Sequence, residues 1–358
     1  MSKQHYEVAA YYFPNWHRRP WDEGDDFGEW PVLKVAPVRF SGHAQPKVPQ
    51  WGYEDESDPK MMAKKIDAAA DHGVSVFLFD WYFNDNGTFL EDALNKGYLK
   101  AKNHSRLKFA LMWANHELKG EHIHGKGAID RPTFDKLVAH AVKNFMTHPA
   151  YWRLDGKPYF SIYEIDNFIN GFGGVEGARA ALDHFRKSAK AAGLKGVHVN
   201  IVDWQLAYRN DIPTVLKTLA VDSVTPYVWG HLIQMKDFPE TDYRYMQEEY
   251  FKHCEKAAST YGVPYYPNVT VGWDSTPRID PGQPHANKGY PDTPVLKDST
   301  PANFKRALEQ AKAFLDKQPA AQRILTIYAW NEWTEGGYLE PDTIHKFAHL
   351  EAIQEVFS

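Results

Sequence analysis

Ile324-Leu325-Thr326-Ile327-Tyr328 is a short, largely apolar run, and Ala329-Trp330-Asn331-Glu332-Trp333-Thr334-Glu335-Gly336-Gly337 follows it directly. The run has the length and side-chain type of a strand buried on both faces. Behind it, two carboxylates stand three residues apart among two Trp and an Asn, and the chain turns at Gly-Gly. A strand that ends this way delivers acids and aromatic rings to the rim of a sheet. In barrels of alternating strands and helices, that rim is where active sites form. Two carboxylates among aromatic rings can supply one acid, one base or nucleophile, and flat apolar faces for sugar rings. The structural reading of the same stretch is a loop whose acids pair with Arg or Lys.

Outward from this stretch, the chain repeats strand then helix. The patterns predict strands at 7–13, 74–79, 108–113, 159–163, 197–202, 223–228, 265–271 and 324–328. They predict helices at 59–73, 89–103, 133–148, 178–192, 212–219, 242–261, 301–317 and 343–356, the first with Asp58 as N-cap and Pro59 at its first position. That order is the order of a single α/β domain over 1–358, a (β/α)8 TIM barrel with a long loop between its first strand and first helix. The loop mixes Pro with Trp and Phe, which favours an ordered segment over a disordered one. The alternative is an open doubly wound sheet, but no Gly-x-Gly-x-x-Gly follows the first strand. No Gly-x-x-x-x-Gly-Lys-Ser/Thr phosphate loop occurs either.

Composition narrows the function. Hydrophobic residues make up 43% of the 358, enough for a sizeable core. Aromatic residues reach 15%, including 12 Trp, more than a core needs, and sugar sites use such rings as stacking platforms. A net charge of −5 argues against nucleic acid or an anionic membrane as partner. No apolar run is long enough to span a bilayer. Cys254 stands alone, which rules out an internal disulfide, and it reads as a small buried residue on a helix. The first residues, from Met1 to Glu7, contain no apolar signal core, so the chain is expected in the cytoplasm if Met1 is native, and in the periplasm or outside if a signal was removed. The expected partner is a carbohydrate substrate, with no nucleic acid, membrane, cofactor or metal, and the chain is expected to be a monomer.

In a barrel the C-terminal strand ends meet at one mouth. Those ends supply Tyr12 and Trp16; Asp80 and Trp81; Trp113, Asn115 and His116; Glu164; Asp203 and Trp204; Trp229; Trp273 and Asp274; and Trp330, Asn331, Glu332, Trp333 and Glu335. Arg278, in the loop after the seventh strand, is the main cation in view. Polar tips at strand ends need partners or a ligand, so their recurrence on one face points to a polyhydroxylated ligand. Each also has a structural reading. Trp81, Trp113 and Trp204 could cap the barrel core, and Asp80, Asp203 and Asp274 could accept from backbone N–H groups. His43 and His116 lack the spacing of a metal motif. No Gly-x-Ser-x-Gly elbow supports a serine nucleophile.

Asn331-Glu332-Trp333-Thr334-Glu335-Gly336, with Tyr11-Tyr12-Phe13-Pro14-Asn15-Trp16-His17, resembles glycoside hydrolase family 99. Gly42-His43-Ala44-Gln45-Pro46, Trp51-Gly52-Tyr53-Glu54-Asp55-Glu56, Phe79-Asp80-Trp81-Tyr82 and Met112-Trp113-Ala114-Asn115-His116 are similar to one branch, the family 99-like or WbsX-like group, which carries the label of O-antigen glycosyltransferases. The resemblance covers nearly the whole chain, which departs from family 99 itself in its long first loop. It implies a (β/α)8 barrel acting on glycans with retention, with an α-mannoside-like linkage as the candidate. It also implies Glu332 as the base at the sugar 2-hydroxyl and Glu335 as the general acid/base, through a 1,2-anhydro sugar. His43, Asp55, Asp80, Asn115, His116, Asp203 and Asp274 would be sugar-binding candidates. Two further readings stand beside hydrolysis. One is a glycosyltransferase of surface-polysaccharide assembly, which would favour basic residues or a metal at a diphosphate. The other is a non-catalytic glycan-binding barrel, which would need no paired acids.

Overall fold

The computed structural model describes residues 6–24, 26–120 and 122–357; Met1 to His5, on which the compartment reading rests, lie outside them. Eight parallel strands form the central sheet among the described residues: β1 (Glu7–Tyr12), β2 (Val76–Asn84), β3 (Lys108–Trp113), β4 (Lys157–Ile162), β5 (His198–Val202), β6 (Ser223–Thr225), β7 (Asn268–Thr270) and β8 (Ile324–Tyr328). Their order is β6-β5-β4-β3-β2-β1-β8-β7. Ala9 pairs with Val76 on one side of β1 and with Thr326 on the other. The open ends meet at a single parallel bridge, Val224 to Tyr265. There Val224 N donates to Pro264 O and Tyr266 N to Val224 O, both at 2.9 Å. The expected TIM barrel is therefore the fold.

The strands are short and buried on both faces, as their apolar runs require. The barrel interior also holds a polar layer with its bonds made. Thr225 Oγ1 lies 3.1 Å from Thr326 Oγ1, Ser161 Oγ donates to Asn200 Oδ1 at 2.8 Å, and Asn200 Nδ2 donates to Ser223 Oγ at 2.9 Å. Outside run α1 (Pro59–Asp71), α2 (Arg131–Ala141), α3 (Val175–Ala191), α4 (Ile212–Leu219), α5 (Tyr243–Thr260), α6 (Pro301–Leu315) and α7 (Ala348–Phe357). Asp58 caps α1 by accepting from Lys60 N, with Pro59 in the first turn, and Asp130, Asp242 and Thr300 cap α2, α5 and α6 in the same manner. Cys254 is buried on α5.

Three elements differ from expectation. β2 runs past Phe79 to Asn84 and returns as Gly87–Phe89, which takes up Phe89, where a helix was expected to open. What remains before β3 is one π turn, Ala93–Gly97, and two 3-10 turns, Tyr98–Lys100 and His104–Arg106. β7 is cut to Asn268–Thr270 because Pro264 and Pro267 lack the N–H that a ladder needs, and Pro226 ends β6 early for the same reason.

The long segment between β1 and α1 is fastened at both ends of its course. Arg39 donates to the carbonyls of Gln283 and Ile279, and Gln45 Nε2 donates to Asp274 Oδ2 at 2.7 Å, so this segment is tied to the loop after β7. Nearer α1, the fully buried Glu56 accepts from Tyr12 OH and Trp16 N, each at 2.8 Å.

A buried ion pair holds the stretch after β8. Lys65 Nζ of α1 reaches Glu340 Oε1 at 2.6 Å, and both side chains are nearly sealed from water. Glu340 also accepts from the indoles of Trp330 at 2.9 Å and Trp333 at 2.7 Å. Lys65→Met leaves that carboxylate uncompensated, and we expect a loss of about 3–5 kcal/mol in urea denaturation. The double variant Lys65→Met/Glu340→Gln removes the stranded charge and should recover part of it; a Lys65→Met protein as stable as wild type would contradict the assigned role.

Candidate active site

A cavity of about 960 Å³ opens at the C-terminal ends of the strands. Glu332 and Glu335 lie in its wall, both buried. They are presented by the tight turn after β8, where Asn331–Glu332 pairs back with Gly337–Tyr338. Gly337 is needed there: a Cβ would sit 2.2 Å from the Tyr328 ring. That contact brings the Tyr328 hydroxyl onto Glu335, to which it donates.

Arg278, in the loop after β7, spans the pair. Its Nη1 donates to Glu335 and its Nη2 lies 3.4 Å from Glu332 Oε1. The same guanidinium donates to Glu29 Oε2, from Nη2 at 3.0 Å and from Nε at 3.3 Å. Tyr290 OH adds a bond to Glu335 Oε1 at 2.7 Å. Glu335 therefore accepts from Arg278, Tyr290 and Tyr328, the arrangement of a carboxylate. Glu332 differs: Oε2 is buried without a partner. Burial pushes the Glu332 carboxyl well above the usual range; Arg278 opposes the rise, while Glu335 and Glu29 add to it.

Asp80 lies deeper. It accepts from Tyr227 OH at 2.7 Å through Oδ2, and its Oδ1 has no partner. Burial raises it well above the usual range, the Tyr227 bond opposes this, and Glu335 adds to it. Glu164 is raised to about 7 by burial. His116 and His231 are each lowered to about 4 by burial, with Arg278 adding to the effect at His116. Both rings keep an unpartnered Nδ1, as Trp204 keeps an unpartnered indole nitrogen. These unanswered groups suit a ligand rich in hydroxyls. Among the described residues, no cluster of three or more His, Cys, Asp or Glu has the geometry to hold a metal ion.

Of the residues expected at the mouth, the cavity wall takes Asp80, His116, Glu164, Trp204, Trp273, Arg278, Glu332 and Glu335. The others lie off the wall. Tyr12 turns its hydroxyl onto Glu56, and the buried Trp16 ring packs on Trp30. Asn331 clasps the backbone of Phe13, accepting from its N at 2.8 Å and donating to its O at 2.9 Å. His43 Nε2 bonds Asp274 Oδ2 at 2.9 Å. Burial alone would raise Asp274; bonds from His43 and Thr276 outweigh it and hold the carboxyl below its usual range. Asp55 accepts from Ser57 N at 2.8 Å. Trp81 donates to Glu91 at 2.7 Å and Trp113 to Phe83 O at 2.9 Å. Asn115 ties β3 to β4 by donating to Glu164 O at 2.8 Å. Asp203 faces α5, meeting His253 and Tyr265, each at 2.9 Å. Trp229 donates to Asn268 O at 3.1 Å, and Trp330 and Trp333 go to Glu340.

Sequence reasoning missed Glu29, Tyr227, Tyr290 and the hydroxyl of Tyr328. A usable signal existed for Glu29, which follows Gly28 within an aromatic loop. Gly28 has φ 59°, and a Cβ on it would lie 2.3 Å from Asn15 O, so glycine is required for that approach.

The family model described as glycosyltransferase WbsX matches residues 8–353. An uncharacterized protein WxcX from Xanthomonas campestris pv. campestris is 27% identical over 98% of this chain; the chain spans about half, 49%, of that relative's length. A glycoside hydrolase family 99 endo-alpha-mannosidase from Bacteroides thetaiotaomicron is similar in structure, with a TM-score of 0.62 and 16% identity over 98% of this chain and 95% of that one. A beta-glucosidase from Thermotoga maritima gives a TM-score of 0.51 at 10% identity, over 96% of each chain. The architecture thus resembles those of glycoside hydrolases.

The two lowered histidines make stability pH-dependent in a defined direction. Each binds its proton less readily in the folded chain than in the unfolded one. Their contribution is fully present above pH 6.5 and is lost as pH falls from 6.5 toward 4. The loss approaches roughly 3 kcal/mol for each at the acid end. Between pH 7 and 5, chemical denaturation of His231→Gln should show a shallower fall in stability than wild type. Parallel curves would remove His231 as a source of the acid sensitivity.

Proposed function

The chain belongs to the glycosyltransferase WbsX family, and from that premise we propose that it is a retaining glycoside hydrolase with Glu332 and Glu335 as its catalytic pair. The observation that carries this reading is the pair itself: two buried carboxylates in unlike environments, side by side in a cavity with room for more than one sugar ring. The proposed substrate is a polysaccharide or oligosaccharide. An α-mannoside-like linkage is favoured by the likeness to an endo-alpha-mannosidase.

In the first step, Glu332 takes the proton of the sugar 2-hydroxyl, and O2 displaces the leaving oxygen from C1 to give a 1,2-anhydro sugar. Glu335 gives that leaving oxygen its proton. In the second step, Glu335 takes a proton from water, the water oxygen opens the anhydro ring at C1, and O2 regains its proton from Glu332. Two inversions at C1 give net retention. A base with a raised pKa is the stronger base when it acts, which suits removal of a proton from a hydroxyl. The cavity holds Glu332 in surroundings that favour its proton and Glu335 under Arg278 and two tyrosines. The substrate must therefore draw Arg278 from Glu335 as the proton moves across.

The family's description favours a second reading, transfer. The cavity's charge weighs against a nucleotide-sugar donor. Arg278 is the one Arg or Lys among the described residues lining it, and carboxylates already engage it. A diphosphate would meet Glu29, Asp80, Glu332 and Glu335 instead.

The test is product release from bacterial and plant polysaccharides and yeast mannan. Glu332→Gln and Glu335→Gln should each lower kcat/KM by roughly a hundred- to ten-thousand-fold. With an aryl glycoside whose leaving group needs no proton, Glu335→Gln should recover much of its first-step rate and Glu332→Gln should not. Consumption of a nucleotide sugar with an acceptor, and no release from any glycan, would overturn hydrolysis.

A further inference from the structure

Two hairpins close the side of the cavity above β2 and β3. The extension of β2 pairs Tyr82 with Phe89 and Asn84 with Gly87, and Leu118–Lys119 pairs with His124–Gly125. The hairpins are fastened to each other. Asn86 Nδ2 donates to His124 O at 2.9 Å, and Lys126 N donates to Asp85 Oδ1 at 3.2 Å. Toward the cavity they contribute Phe89, Leu90, Leu118 and Ile123, and the loop after β6 adds Ile233 and Met235. These six side chains are apolar, and Tyr82 and Gln234 reach the cavity beside them from the same segments.

Leu90 carries an independent sign. Its backbone lies at φ 58°, in the left-handed region that a leucine adopts only at a cost and that Gly or Asn adopts readily. A residue held in that conformation at a ligand cavity points to a role for its side chain. Aromatic faces for sugar rings are supplied elsewhere, by Trp204 and Trp273. An aliphatic wall does something else. It leaves any hydroxyl pressed against it without a partner, and it accepts a methyl group.

We infer that this wall is a specificity surface for sugars that bear a methyl group, either C6 of a 6-deoxyhexose or the methyl of an acyl substituent. The inference rests on the carbohydrate reading of the cavity. Leu90, Leu118 and Ile123 seat the methyl, and Arg278 and the carboxylates meet the hydroxyls on the opposite side of the ring.

The experiment is calorimetric binding to the Glu335→Gln protein, which separates recognition from turnover. The ligands are oligosaccharide pairs that differ at one group: D-rhamnose against D-mannose, D-fucose against D-galactose, D-quinovose against D-glucose, and O-acetylated polysaccharide fragments before and after saponification. The methyl-bearing member of one pair should bind roughly ten- to a hundredfold tighter. The deoxy pairs and the acetyl pair distinguish the two sources of the methyl. Adding Leu90→Asn, which suits the backbone at that position, should reduce the preference to less than about threefold. Ile123→Thr should act in the same direction if Leu90→Asn fails to fold. Equal or weaker binding of the methyl member in every pair, no binding of any pair, or an unchanged ratio in both variants would overturn the inference. Methyl preference without glycan release by wild type would overturn the hydrolase reading alone; release without preference would overturn this one alone.

Discussion

An ammonium and a carboxylate, both withdrawn from water, hold the end of β8 in place. Lys65 reaches Glu340 from α1, and Glu340 gathers the indoles of Trp330 and Trp333 on either side of Glu332. Such a pair gains little net stability over a well-packed apolar substitute, because each charge was costly to desolvate. Its value is geometric. It leaves the turn after β8 one arrangement in which both indoles and the Glu340 carboxylate are answered, and that arrangement places Glu332 and Glu335 in the cavity wall. Glu56 does the same at the neighbouring strand, taking up Tyr12, the backbone of Trp16 and, at 3.4 Å, the amide of Asn331.

Charge in the cavity is arranged as an imbalance. Arg278 stands among Glu29, Glu332 and Glu335, with Asp80 further in. One cation cannot satisfy three carboxylates, so the local field favours a proton on one of them. Burial selects Glu332, whose second oxygen has no donor, over Glu335, which has three. The difference between two identical side chains three residues apart thus comes from residues of other loops.

The barrel was legible because its strands are apolar runs separated by helical periods, and that signal is local. The pair was legible because both carboxylates sit at the end of one strand. The expectation that every aromatic-and-acid strand end faces the mouth went too far for a simple reason: neighbouring side chains on a strand point to opposite faces. Asp80 and Met112 face the cavity, so Trp81 and Trp113 must face the helices, where Glu91 and the Phe83 carbonyl receive their indoles. The pairing of Glu29 with Arg278 was hidden from any local reading, the two being 249 residues apart and joined only through the folded loops. The hairpin beyond Asn84 was hidden because a strand pattern and a helix pattern overlap there, and the tertiary contact to the next hairpin decides between them.

The knot between the long segment and the loop after β7 sets the traffic through this molecule. Arg39, His43 and Gln45 lock those two walls together around Asp274 and the carbonyls beside it. That side of the rim behaves as a fixed jamb. The two walls therefore answer to one carboxylate: loss of Asp274 would release His43 and Gln45 together.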